Sequence, residues 1–160
     1  MNFATWFSTH LSFLPPQIAV MITSMLPLIE LRGGIPLARL LELPLSQAII
    51  FSVIGNVIPL PFILLFIRKI FHWLSPTKLL GGIVRKLEAR AMGKSDSIKK
   101  AEFWGLMCFV GIPLPGTGGW TGTLIAALLK IDFKKALLAA LCGVAMAATI
   151  MSLIAYGIFG

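Results

Sequence analysis

Two charged side chains inside an apolar segment give the clearest sign of chemistry in the sequence. Glu30 and Arg32 lie in Leu26–Arg39, which two glycines and two prolines also interrupt. An ion at the centre of a bilayer costs about 3 kcal/mol on insertion scales, so a simple membrane-spanning helix avoids such residues. Non-helical backbone at that depth is tolerated only where it is buried in protein or lines an aqueous cavity. We therefore predict that this segment is a re-entrant hairpin that contains a functional site.

Three side chains of this segment could bind charged ligands. Glu30 could carry a proton or help to hold a cation. Arg32 and Arg39 could bind a phosphate group, because the planar guanidinium group matches its oxygens with parallel donors. Two structural alternatives stay open. Glu30 and Arg32 could pair only to pin the hairpin, and Arg39 could extend to the outer interface.

A second polar break, Pro113–Gly119, separates two short apolar stretches. Its glycines permit close approach of the backbone, and the helix that follows would point N–H groups at an anion. The same glycines could instead serve only turn geometry and helix packing. Asn56 is a further polar group, inside the first predicted span, and we expect it to face the site or a helix partner. The candidate binding residues are Glu30, Arg32, Gly33, Gly34, Arg39, Asn56, Pro113, Pro115, Gly116, Thr117, Gly118, Gly119 and Thr121.

Composition indicates an integral membrane protein. Of the 160 residues, 58% are hydrophobic and 12% are charged, which excludes an ordinary soluble domain. A net charge of +8 would suit a nucleic-acid ligand, but most basic residues cluster in the segment 71–100, beside the predicted spans. That distribution is the positive-inside pattern of membrane proteins. We therefore expect a cytoplasmic basic loop and no nucleic-acid partner.

The remaining reactive side chains give little support for an enzyme. Cys108 and Cys142 lie in separate apolar stretches without the spacing of metal ligands. His10 and His72 flank the membrane segments, and no nucleophile is paired with a base. We expect no catalytic residue, no metal site and no cofactor.

The first half of the chain contains a broken hydrophobic pair and one full span. Residues 2–14 are predicted to form an amphipathic helix in the interface. Gln17–Leu26 and Ile35–Leu43 are half-length helices, joined by a turn at Pro27–Gly34. Ser46–Ile67 is long enough to cross the membrane, and its two prolines predict a kink.

The second half follows the same plan. The basic loop 71–100 comes first, and part of it lies either on the membrane surface or in solvent. Two apolar stretches, Phe103–Ile112 and Trp120–Leu129, flank the Pro- and Gly-rich break. If this pair crossed the membrane, the lysines that follow would be outside, so we predict that it enters and returns on the cytoplasmic face. The last full span is predicted at Ala136–Phe159.

The two halves match as a weak repeat. Each contains a broken hairpin, a short connector and one long span, and the positive charges predict that the hairpins enter from opposite faces. We therefore predict an all-α integral membrane protein with an inverted repeat and interfacial helices. The single membrane domain, 1–160, divides into a first repeat, 1–70, the loop 71–100, and a second repeat, 101–160. The matched residues are Pro27 and Pro113, Gly33 and Gly119, Ala48 and Ala136, and Gly55 and Gly143.

Two motifs carry a resemblance to a known family. Glu30–Pro36 in the first hairpin and Gly111–Gly122 in the second resemble the small multidrug export protein family of bacteria and archaea. That family looks like a compact relative of the DedA, or VTT-domain, superfamily, which includes lipid scramblases and undecaprenyl phosphate translocases. The resemblance implies two facing re-entrant hairpins in a prokaryotic inner membrane, with Glu30 as the acidic residue of the first. DedA proteins usually carry an arginine in the second hairpin, which here has no charge.

These observations favour a membrane transporter or flippase. The expected substrate is an anionic lipid phosphate, such as undecaprenyl phosphate, or a small amphipathic molecule, with a proton or a sodium ion coupled at Glu30. A cationic drug exporter is the alternative within the transport class. A membrane assembly protein without transport is the alternative from another class. Membrane lipids are expected partners, and two spans bury little surface alone, which favours a homodimer.

Overall fold

The described part of the chain is helical. A computed structural model describes residues 14–74 and 102–158, and none of these residues lies in a β-strand. The predicted interfacial helix, apart from Leu14, and nearly all of the basic loop lie outside the described residues. The helices are α1 (Pro16–Met25), α2 (Glu30–Leu40), α3 (Leu45–Val57), α4 (Pro59–Leu74), α5 (Glu102–Gly111), α6 (Gly119–Leu128) and α7 (Phe133–Ser152), followed by a π-helical segment, Leu153–Ile158.

The turn between α1 and α2 is shorter than the sequence predicts. It was expected to extend to Gly34, but α2 already begins at Glu30. Leu28 and Glu30 adopt left-handed backbone conformations, with φ of 74° and 50°, and so reverse the chain in few residues. The Gly33 N–H group then donates to the Ile29 carbonyl oxygen at 3.1 Å, within the first helical turn. As a result, Glu30 lies at the start of a helix rather than in a loop.

Two stretches of helix are long and apolar enough to cross a membrane. Leu45–Ile67 has 23 residues and Phe133–Gly157 has 25. The first consists of α3 and the start of α4, with a break at Ile58 directly before Pro59, because proline has no N–H group to continue the helical ladder. Ile58 keeps helical backbone angles, with φ of −50° and ψ of −48°, so the kink expected at these prolines stays a prediction. The helix α4 continues beyond the predicted end of the span, to Leu74.

Glycines allow the short helices to pack closely on the long ones. A Cβ atom on Gly55 of α3 would lie 2.1 Å from the Met21 carbonyl oxygen of α1. A Cβ atom on Gly143 of α7 would lie 2.7 Å from the Met107 carbonyl oxygen of α5. Both contacts involve backbone, so any larger residue would push the helices apart. The core consists mainly of the small side chains of α7 packed against α2, α4, α5 and α6.

The helices α2 and α6 end in the same way. Glu42 and Lys130 follow them in the left-handed conformation, with φ of 58° and 59°. The next N–H groups, of Leu43 and Ile131, both donate at 3.0 Å to a carbonyl oxygen five residues earlier. This is the Schellman pattern, which satisfies terminal carbonyl groups and turns the chain sharply. It directs each short helix into the long helix that follows.

Candidate functional site

A buried carboxylate joins the first half of the chain to the second. Glu30 is 5% exposed and accepts two hydrogen bonds from the first turn of α6. The Gly119 N–H group lies 3.1 Å from Oε2, and the Trp120 N–H group lies 2.9 Å from Oε1. These N–H groups have no partner within their own helix, and the positive end of the helix dipole attracts a carboxylate. The side chain of Glu30 therefore caps α6.

The guanidinium group of Arg32 makes a second connection. It donates from Nη1 to the Leu114 carbonyl oxygen at 2.5 Å and from Nη2 to Thr117 Oγ1 at 2.7 Å. The Thr117 hydroxyl also lies 2.8 Å from the Ile112 carbonyl oxygen, so it orders the loop before α6. Glu30 and Arg32 form no ion pair with each other. The alternative that they pair only to pin their own segment is therefore wrong, since each binds the opposite half.

An indole group completes the contact. Trp120 Nε1 donates to the Met25 carbonyl oxygen at 3.1 Å, which satisfies a carbonyl group at the end of α1. We call the turn 26–29 the first tip and the loop 112–118 the second tip. The five hydrogen bonds among Glu30, Arg32 and Trp120 and their partners are called the tip lock. They join the residues on either side of the first tip, Met25, Glu30 and Arg32, to the second tip and the start of α6, across 82 to 95 residues of sequence.

Unpaired polar atoms lie behind the tip lock. Asn56 is 1% exposed, and its Oδ1 atom has no hydrogen-bond partner among the described residues. A Cβ atom on Gly119 would come within 2.8 Å of that oxygen, so Asn56 faces the start of α6. The hydroxyl groups of Ser24 and Ser52 meet at Gly34 and are also unpaired. These groups place a polar interior directly beside Glu30.

An apolar cavity of about 310 Å³ lies beside the tip lock. Pro27 and Leu28 of the first tip form one part of its wall. Trp120 and Thr121 at the start of α6 form another, and residues of α4 complete it. Its volume is at the lower end of the range for small-molecule sites, which are mostly apolar with a few polar groups. Any movement of α6 away from Glu30 would change the shape of this cavity.

Several predicted site residues lie apart from the tip lock. Arg39 is nine residues from Glu30, which corresponds to about 14 Å along α2. Its guanidinium carbon lies 5.4 Å from the centre of the Tyr156 ring. Pro115 and Gly116 are exposed at the end of the second tip, and Pro113 is half-buried there. Gly33 packs on Ile29, within its own half.

The sequence did not identify three important groups. Trp120 provides an N–H group and an indole donor, and Leu114 provides a carbonyl oxygen. Every residue except proline has a backbone N–H group, and every residue has a carbonyl group, so residue type does not show which of them will form a particular hydrogen bond. These partners can be identified only from the structure. Tyr156 was also missed, although its hydroxyl group donates to the Leu43 carbonyl oxygen at 2.8 Å. An aromatic residue with a polar end near the end of a span is a usable signal for such a role.

Replacing Arg32 by Ala should loosen the second tip. Two charge-assisted hydrogen bonds would be lost, and we expect the free energy of unfolding to fall by about 2 kcal/mol, because Arg32 is only partly buried. Thermal unfolding of the purified protein in detergent measures this change. The free energy of unfolding should fall less in Arg32→Gln, because the glutamine amide keeps part of the donor geometry. A melting temperature for Arg32→Ala equal to that of the exposed-site variant Lys130→Ala would contradict the assignment.

Comparison with protein families identifies relatives of the chain. The profile of a family described as "Putative small multi-drug export protein" matches residues 30–150. The chain belongs to this family. The match begins at Glu30 and includes every tip-lock residue except Met25, so the structural connection lies within the family region. No curated protein and no solved structure matches the chain.

Proposed function

We propose that this member of the small multi-drug export protein family is a membrane transporter for small amphipathic cations, and that the tip lock is its gate. The observation that carries the proposal is the buried Glu30 carboxylate on the start of α6, beside an apolar cavity. A charge is expensive to keep inside a membrane protein and usually has a function there. The family description supports export of small molecules.

Glu30 gives the gate a proton-dependent contact. Its carboxylate stabilises the closed state by accepting the N–H groups of Gly119 and Trp120. A proton removes the negative charge and leaves the neutral group a weaker acceptor, so α6 is held less strongly. When α6 moves away, the deprotonated carboxylate becomes a counter-ion for a cation, and the aromatic face of Trp120 contacts its apolar part. A proton and a cation that compete for one carboxylate provide the basis for exchange transport.

The proposal includes an inverted repeat of two re-entrant hairpins, as in the DedA superfamily. Equivalent contacts at nearly constant spacing support it. The glycine contact of Met21 and Gly55 recurs at Met107 and Gly143, with offsets of 86 and 88. The left-handed Glu42 recurs at Lys130, again with an offset of 88. The offset is 86 at Met21 and 88 at Glu42, so the proposed repeat includes a two-residue insertion in the second half between the equivalents of these two positions.

The remaining topology follows from that proposal. The two tips would meet near the middle of the membrane, which is where inverted-repeat transporters bind substrate. The loop 71–100 would lie in the cytoplasm of a prokaryotic inner-membrane protein, according to the positive-inside rule. A homodimer would cover the exposed apolar surfaces of the two spans.

A lipid phosphate is the second candidate substrate. The start of α6 already binds the Glu30 carboxylate. The nearby Arg32 donates to two oxygen acceptors. Helix N-termini bind phosphate in the same way, so the phosphate of an undecaprenyl lipid could replace Glu30 on α6. In this version, Glu30 acts as an internal competitor of the substrate rather than as its counter-ion.

The substitution Glu30→Gln separates the two candidates because it shifts their affinities in opposite directions. Binding of tetraphenylphosphonium and of undecaprenyl phosphate is measured with the full chain in nanodiscs. For the cation exporter, we expect Glu30→Gln to weaken tetraphenylphosphonium binding about tenfold or more, because the counter-ion is lost. For the lipid carrier, the same variant should strengthen phosphate binding, because the competing carboxylate is gone.

The Glu42→Gln variant is the matched control, because it removes an exposed carboxylate just after the end of α2, the helix that begins with Glu30. It should bind both probes like the wild type. If neither probe binds the wild-type protein specifically, the transport proposal fails for these substrate classes. The assembly-protein alternative then becomes the better explanation, and the tip lock would have a purely structural role.

A further inference from the structure

A long apolar groove runs between the two candidate spans, away from the tip lock. It has a volume of about 560 Å³ and lies between α3 and the segment from α7 to the π-helical residues. Leu45, Ile49, Val53 and Val57 form one wall, at intervals of one helical turn. They cover about 18 Å along the helix. The groove is therefore long and narrow, which is the shape of a hydrocarbon chain rather than of a compact molecule.

One end of the groove carries a positive charge. Tyr156 lines that end, and the Arg39 guanidinium carbon lies 5.4 Å above the centre of its ring. The Tyr156 hydroxyl donates to the Leu43 carbonyl oxygen, which fixes the ring between the start of α3 and the end of α7. Arg39 is exposed and forms no ion pair with a carboxylate in the ranges 14–74 and 102–158. An exposed guanidinium group without a carboxylate partner in these ranges can bind an anionic ligand.

This combination defines the chemistry of an occupant. An apolar chain fits the walls of the groove, and an anionic group fits the exposed guanidinium group at its end. Leu45 and Gly157 both line the groove and mark the start of one candidate span and the end of the other, which would place the charged end at a membrane surface. We propose that the groove binds an anionic phospholipid, with an acyl chain between α3 and α7 and the phosphate group on Arg39.

This site does not depend on the proposed transport function. It lies at the far end of α2 from Glu30, and no residue of the tip lock lines the groove. A lipid held there would bridge the two long helices across a gap that their side chains leave open. The expected role is a bound lipid that stabilises the pairing of the spans, with a preference for anionic headgroups.

The test compares phosphatidylglycerol with phosphatidylethanolamine of identical acyl chains. The full chain is purified in detergent, and bound lipid is counted by native mass spectrometry at equal concentrations of the two lipids. The wild type should prefer phosphatidylglycerol about fivefold, which is the ratio expected for one basic side chain near an anionic lipid. Arg39→Gln should remove this preference, and Arg39→Lys should retain most of it.

A second variant tests the groove itself. Ala145 lines the groove from an exposed position, so Ala145→Phe fills it without entering the core. This change should reduce the binding of both lipids and leave the melting temperature in lipid-free detergent within a few degrees of the wild type. Lys130→Gln, an exposed change at the end of α6, should bind like the wild type. An undiminished preference in Arg39→Gln, or undiminished binding in Ala145→Phe, would overturn the proposal.

Discussion

Replacing Glu30 by Ala is expected to destabilise the protein by about 3 to 5 kcal/mol. The change removes two charge-assisted hydrogen bonds and leaves the N–H groups of Gly119 and Trp120 without an acceptor in a buried position. For a chain of this size, such a loss corresponds to a melting temperature lower by about 10 °C. Thermal unfolding in detergent provides the measurement. Glu30→Gln should lose less stability than Glu30→Ala, because its one side-chain oxygen can still accept a hydrogen bond.

The matched control for this prediction is Glu42→Ala. Glu42 is exposed and lies in the turn after α2, so its side chain makes no contribution to the tip lock. We expect its melting temperature to stay close to that of the wild type. Equal melting temperatures for Glu30→Ala and Glu42→Ala would show that the cap on α6 contributes nothing to stability.

Replacing Gly55 by Ala is expected to cost about 3 kcal/mol, although only one methyl group is added. The new Cβ atom would lie 2.1 Å from the Met21 carbonyl oxygen and 2.9 Å from its carbon atom. These are backbone atoms of α1, so no side-chain rotation can relieve the clash and the two helices must separate. The measurement is again thermal unfolding in detergent. Gly143→Ala should behave similarly, since it meets Met107 backbone and Val110.

Gly157→Ala serves as the control for these glycine substitutions. Among the described residues, apart from its chain neighbours and its own helix backbone, no atom lies within 4 Å of a Cβ atom built on Gly157. Alanine is about 1 kcal/mol more favourable than glycine in a helix, so this variant should be neutral or slightly stabilised. If Gly55→Ala were as stable as Gly157→Ala, the close packing of α1 on α3 would be wrong.

The positions of α1, α5 and α6 could be predicted from the sequence because strong local signals mark their ends, whereas α2 begins five residues before its predicted start at Ile35. The prolines at 15 and 16 set the start of α1, and the helix begins within one residue of its prediction. A kink at Pro59 and Pro61 was predicted from the same residue type, and it stays a prediction although α3 ends at Val57. The first tip was predicted too long because Leu28 and Glu30 adopt positive φ angles that non-glycine residues rarely adopt. Local sequence contains little information about such strained turns.

The fold brings part of the predicted site together, whereas its binding function stays a prediction. Glu30, Arg32, Thr117 and Gly119 were selected by residue type, and the structure brings them together. Their pairing could not be predicted, because the partners of Glu30 are backbone N–H groups about 90 residues away. Arg39 was grouped with Arg32 on the basis of charge alone. In the structure the two arginines lie seven residues apart on α2. Arg32 binds the second tip, whereas Arg39 lies beside Tyr156.

Hydrogen exchange at the start of α6 tests the central claim most directly. The first N–H groups of a helix normally exchange fast because they lack intrahelical partners. Residue-resolved amide exchange is measured by NMR in wild type, Glu30→Gln and Glu42→Gln. We predict that Gly119 and Trp120 are protected in the wild type and in Glu42→Gln. In Glu30→Gln, whose side chain keeps only one acceptor oxygen, at least one of these two N–H groups should lose its protection while the middle of α6 keeps its own. Equal exchange of Gly119 and Trp120 in all three proteins would contradict the tip lock.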